Sequence, residues 1–246
     1  MEQRDNSAFL ADLKEWNIEL NNTQLAQLEK YYEMLVEKNK VMNLTAITEY
    51  EDVLKKHFLD SLALSQLMNL SGKKFKLLDM GTGAGFPGIP LKIAFPELKV
   101  TLMDSLNKRI VFLQEVINEL GLTGITAIHG RAEEAALKPE YREKYDFCVS
   151  RAVARLVSLS EFCIPFVKQG GYFIPYKSGE IKEELQEAKF AIRELGCEYR
   201  KTYEYQLPNS DIERTLIQIE KLKQTSKKYP RGGGKPLKQP LLSVKK

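Results

Sequence analysis

A chain of 246 residues with 43% apolar and 28% charged side chains can hold one large domain, or one domain and an appendage. No apolar run approaches the ~20 residues that span a bilayer, and residues 1–16 are too charged for a secretory leader, so a cytoplasmic protein is expected. Cys148, Cys163 and Cys197 form no C-x-x-C pair and His57 and His129 lie far apart, so no metal is expected and each cysteine reads as a small buried hydrophobe.

The N-terminal third reads helical. Leu25, Leu28, Tyr31, Tyr32, Leu35 and Val36 form one apolar stripe, with Asn22 or Thr23 as its cap. A polar link covers residues 39–45. A second helical pattern covers residues 51–68, where His57 reads as a satisfied packing residue rather than a catalyst. Residues 1–70 are expected to be a helical cap packed on the main domain.

From Phe75 the period changes. Residues 75–80 form a strand ending near Asp79, followed by Gly81, Gly83 and Gly85, then a helix over residues 87–94. Alternate glycines let the backbone take positive φ and approach a ligand. The dinucleotide pattern G-x-G-x-x-G fails from Gly81, because Phe86 stands at its third glycine; Gly83, Gly85 and Gly88 fit, but start four residues after Asp79. The pattern anchored on the strand end, Asp-x-Gly-x-Gly-x-Gly, looks like the first motif of class I S-adenosylmethionine (SAM) methyltransferases.

The next strand, residues 99–104, ends in Asp104, placed to bind ribose hydroxyls or to cap the helix at 106–120. Strands at 125–129 and 145–150 precede a short helix near Ala132 and a helix over 154–167. Gly170-Gly171 breaks the chain before a strand at 172–176 and a polar helix at 179–195. Strands at 197–206 and 213–221, with no helix between them, predict a hairpin. Alternating β and α elements imply a mostly parallel sheet. With the closing antiparallel hairpin, the expected fold is α/β, a seven-stranded class I SAM-dependent methyltransferase domain over residues 71–221.

Residues 222–246 form a basic Pro/Gly-rich tail whose composition argues against regular structure. Residues 221–246 carry nine Lys or Arg and no acid, so a net +4 overall leaves −5 on the first 220 residues. Such a tail is either a solvated terminus or an arm for a polyanion.

Lys108, Arg109, Arg131 and Arg151 cluster at strand ends as an electropositive rim. The fourth strand ends in Ser150-Arg151-Ala152, without the Asn-Pro-Pro-Tyr type motif of exocyclic amine methyltransferases, and no Pro-Cys pair supplies a thiol nucleophile.

The chain closely resembles the bacterial 16S rRNA guanine-N(7) methyltransferases, the glucose-inhibited division protein B family. Asn43-Leu44-Thr45-Ala46-Ile47, His57-Phe58-Leu59-Asp60-Ser61-Leu62 and the glycine loop from Gly81 to Leu91 carry the resemblance. Asp104-Ser105 with Lys108-Arg109, Gly130-Arg131-Ala132-Glu133, Arg151-Ala152 and Tyr229-Pro230-Arg231 follow in order. One departure is Lys177-Ser178-Gly179, where the family usually has Lys-Gly.

The resemblance implies SAM-dependent methyl transfer to a guanine of 16S rRNA or the small ribosomal subunit, by a monomer without membrane or metal. Asp79, Gly81, Gly83, Phe86, Asp104, Ala132, Glu133 and Arg151 would hold the cofactor. Arg151 and Glu133 are the candidates for a catalytic role, Glu133 as an acceptor facing the cationic product base. Lys108, Arg109, Arg131, Lys177, Lys227, Lys228 and Arg231 would bind RNA.

Overall fold

The apolar runs give seven strands: β1 (Lys76–Met80), β2 (Lys99–Asp104), β3 (Ile125–His129), β4 (Tyr145–Arg151), β5 (Val167–Lys177), β6 (Cys197–Gln206) and β7 (Glu213–Lys221). The computed structural model describes residues 4–179 and 181–243. The strands make one sheet in the order β3-β2-β1-β4-β5-β7-β6. β1 to β5 pair in parallel, while β7 runs antiparallel to both β5 and β6. This is the class I methyltransferase sheet with its C-terminal hairpin.

The helices are α1 (Ser7–Glu15), α2 (Asn22–Met42), α3 (Tyr50–Val53), α4 (Asp60–Leu62), α5 (Leu64–Leu67), α6 (Gly88–Ala94), α7 (Asn107–Glu119), α8 (Ala132–Ala135), α9 (Leu156–Cys163), α10 (Lys182–Glu194) and α11 (Lys235–Lys238). Side-chain alternation splits the core between the two faces of the sheet. Leu77, Phe147 and Val149 face α1, α2, α6 and α7; Leu78, Cys148 and Phe173 face α8, α9 and α10. All three cysteines are free and buried.

Helix α2 starts in a capping box: Asn21 Oδ1 accepts from Gln24 N–H, and Gln24 Oε1 accepts from Asn21 N–H. It runs into the expected polar link and stops at Asn43, whose φ of 49° is left-handed. The expected helix at 51–68 is interrupted by a π-helical turn, Leu54–Leu59, between α3 and α4. The helical cap is tied to the sheet domain. Tyr31, fully buried, donates its hydroxyl to Ala84 O in the glycine loop and stacks on Phe58 at 5.3 Å. Gln24 Nε2 donates to Ile93 O at 2.7 Å.

One strand boundary differs from expectation. The break at Gly170-Gly171 lies inside β5, which begins at Val167 after a 3₁₀ turn, Ile164–Phe166. Gly171 sits close against the neighbouring strand, where a Cβ would stand 2.7 Å from Asp146 O.

The basic tail is a packed strap rather than a free arm. Arg142 donates to Thr225 O, Ser226 O and Tyr229 O, at 2.9 to 3.2 Å. Lys221 is fully buried, its ammonium donating to Ile164 O and Thr225 Oγ1. Ser158 donates its hydroxyl to Pro236 O at 2.7 Å, and α11 packs on α9. Tail composition argued against a helix, yet α11 is one. Lys245 and Lys246, counted in the tail charge, lie outside the described residues.

Candidate functional site

A cleft of about 840 Å³ opens at the carboxyl ends of the central strands. The sheet domain supplies Gly81 to Ala84, Phe86, Asp104 and Arg151 to Ala154, and the N-terminal segment supplies Leu44, Thr45, Ile47, Lys56, His57 and Asp60. Its size is that of a small-molecule site. The N-terminal segment is therefore a wall of the site as well as a packing layer.

The glycine turn consumes its own amides. Gly81 N–H and Thr82 N–H donate to Met103 O, Gly85 N–H and Phe86 N–H to Thr82 O, and Gly83 N–H to Asp104 Oδ2. Gly88 N–H, at the start of α6, donates to Asp79 Oδ2 at 2.8 Å. A pyrophosphate cradle needs a row of free N–H groups at a helix start, and this turn does not present one. The turn is instead shaped by carboxylates. Positive φ at Gly81, Gly83 and Gly85 makes the tight path possible. A Cβ at Gly83 would have only Gly81 O near it, at 4.0 Å, so the turn leaves open space there.

Asp79 is fully buried and accepts from Thr82 Oγ1–H and Gly88 N–H through Oδ2, while Oδ1 has no hydrogen-bond partner. Burial pushes its carboxyl up to about 6 against the pull of those two donors. Asp104, 3% exposed, accepts from Leu106 N–H at 2.9 Å and from Arg109 at 3.1 Å. It thus caps the turn into α7 while flanking the cleft. Asp79 is not among the residues that line the cleft; Asp104 on the cleft wall and the open glycine turn suit a donor with ribose hydroxyls. SAM fits these residues.

Arg151, at the tip of β4, is held from the N-terminal segment. Its Nη1 donates to Asp60 Oδ2 at 2.9 Å, Nη2 lies 3.4 Å from His57 Nδ1, and the guanidinium sits 5.1 Å from the Phe86 ring centroid. Asp60 also accepts from Tyr205 Oη–H at 3.0 Å. His57 stacks on Phe86 at 4.5 Å, and its Nε2 contacts Thr45 Oγ1 at 2.8 Å. Burial, then the Arg151 charge, push His57 down to about 4, with the Lys56 carbonyl pulling the other way. His57 is satisfied at both nitrogens, as expected, but it also lines the cleft.

Thr45, His57 and Asp60 received no site role in the sequence. Their runs at 43–47 and 57–62 carried the resemblance. The π-turn that places Lys56 and His57 at the cleft has no readable periodicity, although such turns often mark functional sites.

Other expected residues are placed differently. Ala132 packs in the core beneath α9, and neither it nor Glu133 lines the cleft. Lys177 lines the cleft, but its ammonium is held by Glu184 at 2.6 Å and Ala154 O at 3.0 Å, which removes it as a free phosphate contact. Arg231 forks onto Glu161, which removes it as a free RNA contact, and Arg109 is tied to Asp104 through Nη1 at 3.1 Å. Lys108, Arg131, Lys227 and Lys228 are exposed, with Lys228 paired to Glu194 at 3.0 Å. Among the described residues, no His, Cys, Asp or Glu group could hold a metal ion. No helix among them is long and apolar enough to cross a membrane.

A family profile described as rRNA small subunit methyltransferase G matches residues 24–234. A ribosomal RNA small subunit methyltransferase G from Lachnoclostridium phytofermentans is 60% identical, over 98% of this chain and 100% of that one. One from Staphylococcus epidermidis is 55% identical, over 94% of this chain and 95% of that one. Among solved structures, an MtNAS mutant in complex with S-adenosylmethionine gives a TM-score of 0.53 at 14% identity, covering 79% of this chain and 76% of that one. At that identity the likeness is one of fold.

Proposed function

The chain belongs to the rRNA small subunit methyltransferase G family, and we propose that it methylates N7 of a guanine in 16S rRNA, with SAM as the methyl donor. The observation that carries this reading is the glycine turn itself. Its amides are spent on Met103 O, Thr82 O and the carboxylates of Asp79 and Asp104, leaving an acid-flanked pocket rather than a phosphate cradle.

Bound SAM supplies an electrophilic methyl on a sulfonium. Gly81, Gly83, Phe86 and Asp104 are the residues that would hold it, with Asp79 bracing the turn through Thr82 and Gly88. Guanine N7 has an exposed lone pair and no proton to lose, so the transfer needs no general base. That agrees with a cleft whose histidine is kept neutral by burial. The residues then act by alignment, worth up to ~7–11 kcal/mol in favourable cases. Arg151, fixed by Asp60 and His57 and stacked on Phe86, orients the reactive end.

Exposed Lys108, Arg131, Lys227 and Lys228 hold phosphates of the rRNA. We further infer action as a monomer, and the ribosomal substrate supports a cytoplasmic setting. Calorimetric titration tests the cofactor half of this reading. SAM binds and NAD does not, and Asp104→Ala weakens SAM by about tenfold or more. Binding of NAD in preference to SAM would refute it.

A further inference from the structure

The segment between α2 and α3 presents one hydroxyl to the cleft in a fixed state. Asn39, near the end of α2, holds Thr45 at both backbone groups. Its Nδ2 donates to Thr45 O and its Oδ1 accepts from Thr45 N–H, each at 2.9 Å. The side chain is equally constrained. Thr45 Oγ1 accepts from Ile47 N–H at 3.0 Å and lies 2.8 Å from His57 Nε2.

The far side of the imidazole decides which atom donates in that contact. Arg151 Nη2 lies 3.4 Å from His57 Nδ1. A guanidinium has donors only, so Nδ1 accepts. A neutral imidazole with Nδ1 accepting carries its hydrogen on Nε2. Nε2–H therefore donates to Thr45 Oγ1. With Ile47 N–H on the other lone pair, the oxygen can accept nothing more. The Thr45 hydroxyl hydrogen has no acceptor among the described residues, and Thr45 lines the cleft.

We propose that the Thr45 hydroxyl donates to O6 of the target guanine and so distinguishes guanine from adenine. This rests on the proposed methylation of guanine N7. A donor placed on N7 would occupy the lone pair that takes the methyl. The neighbouring acceptor on the same edge is O6, where adenine carries an amino donor instead. An ordinary threonine rotor could donate to the one and accept from the other. A rotor whose lone pairs are both filled can only donate, so it pairs with guanine and leaves adenine with two opposed donors. His57 and Arg151 are positioning residues in this relay: they set the direction of the hydroxyl without touching O6.

The test uses small subunits reconstituted with 16S rRNA carrying guanine, inosine or 2-aminopurine at the target position. Inosine keeps O6 and N7; 2-aminopurine keeps N7 and lacks O6. The unsubstituted protein methylates inosine within about threefold of guanine and 2-aminopurine about tenfold more slowly or worse. Thr45→Val loses about tenfold on guanine and suffers no further loss on 2-aminopurine. Thr45→Ser recovers most of the loss on guanine. His57→Ala returns a lone pair to Thr45 and narrows the guanine to 2-aminopurine ratio. SAM affinity, followed by calorimetry, stays within about twofold in the Thr45 variants, which separates base reading from misfolding. The inference is overturned if Thr45→Val keeps the full guanine rate, if it stays as sensitive to 2-aminopurine as the unsubstituted protein, or if His57→Ala leaves the ratio unchanged. If the unsubstituted protein transfers no methyl to guanine subunits while still binding SAM, the parent proposal falls and takes this inference with it.

Discussion

Arg231 forks onto Glu161, with Nη2 2.7 Å from Oε2 and Nε 2.9 Å from Oε1, and the acid is completely buried. The Arg231 backbone N–H donates to the same carboxylate at 2.7 Å. This pair fastens the strap to α9. Removing one partner leaves a buried charge uncompensated, so Arg231→Ala is expected to cost about 3–5 kcal/mol in urea unfolding. Lys228→Ala, which breaks the exposed pair with Glu194, is expected to cost at most about 1 kcal/mol. Equal costs for the two would mean that the strap is not fastened through Glu161.

The glycine turn is predicted to tolerate no side chain at its first position. Gly81 has φ of +68°, and a Cβ there would stand 2.6 Å from Val153 Cγ2. Gly81→Ala should displace the 152–154 segment from the turn and weaken SAM binding by about tenfold or more, read by calorimetry. Binding within about twofold of the unsubstituted protein would contradict the close approach described.

Asp79 and His57 are predicted to oppose one another in acid. His57 is held at about 4, below its ordinary value, so its contribution is complete above about pH 6.5 and is lost as pH falls toward 4. Asp79 is held at about 6, above its ordinary value, so its contribution is complete below about pH 3.8 and is lost as pH rises through 6. Each amounts to no more than ~3 kcal/mol. Asp79→Asn should therefore lose stability relative to the unsubstituted protein on going from pH 7 to pH 4.5. His57→Gln should gain over the same step. Denaturant titrations at the two pH values check both signs, and parallel behaviour of the two variants would contradict the assignment.

Arg151 is predicted to act through its shape as well as its charge. One guanidinium reaches Asp60, His57 Nδ1 and, at 3.4 Å, Lys56 O. A lysine ammonium can keep the charge beside Asp60 but cannot make this fork. Arg151→Lys is expected to lower methyl transfer about 10–100-fold with a stability change near 1 kcal/mol. A rate close to that of the unsubstituted protein would show that charge alone suffices.

The sheet domain was largely legible because its signals are local. Apolar runs bounded by glycine mark the strand ends, and the acids at positions 79 and 104 close two of them. The second wall of the cleft was not legible, because Asp60, His57 and Thr45 meet Arg151 and Phe86 only through the packing of α2 and the π-turn. Composition misled at the C-terminus. A basic, Pro/Gly-rich run looks mobile until its partners are known, and Glu161 and Arg142, which hold it, lie far away in sequence. Lys177 misled in the same way, since Glu184 neutralises it from a helix one turn past the loop.

The central claim is tested most directly by methyl transfer from labelled SAM to small subunits lacking the modification, with borohydride and aniline cleavage of the rRNA at 7-methylguanine. One cleavage site, lost in Asp104→Ala and Arg151→Ala, is the predicted result. Label incorporated without cleavage would mean that another atom is methylated, and SAM binding without any incorporation would contradict the account.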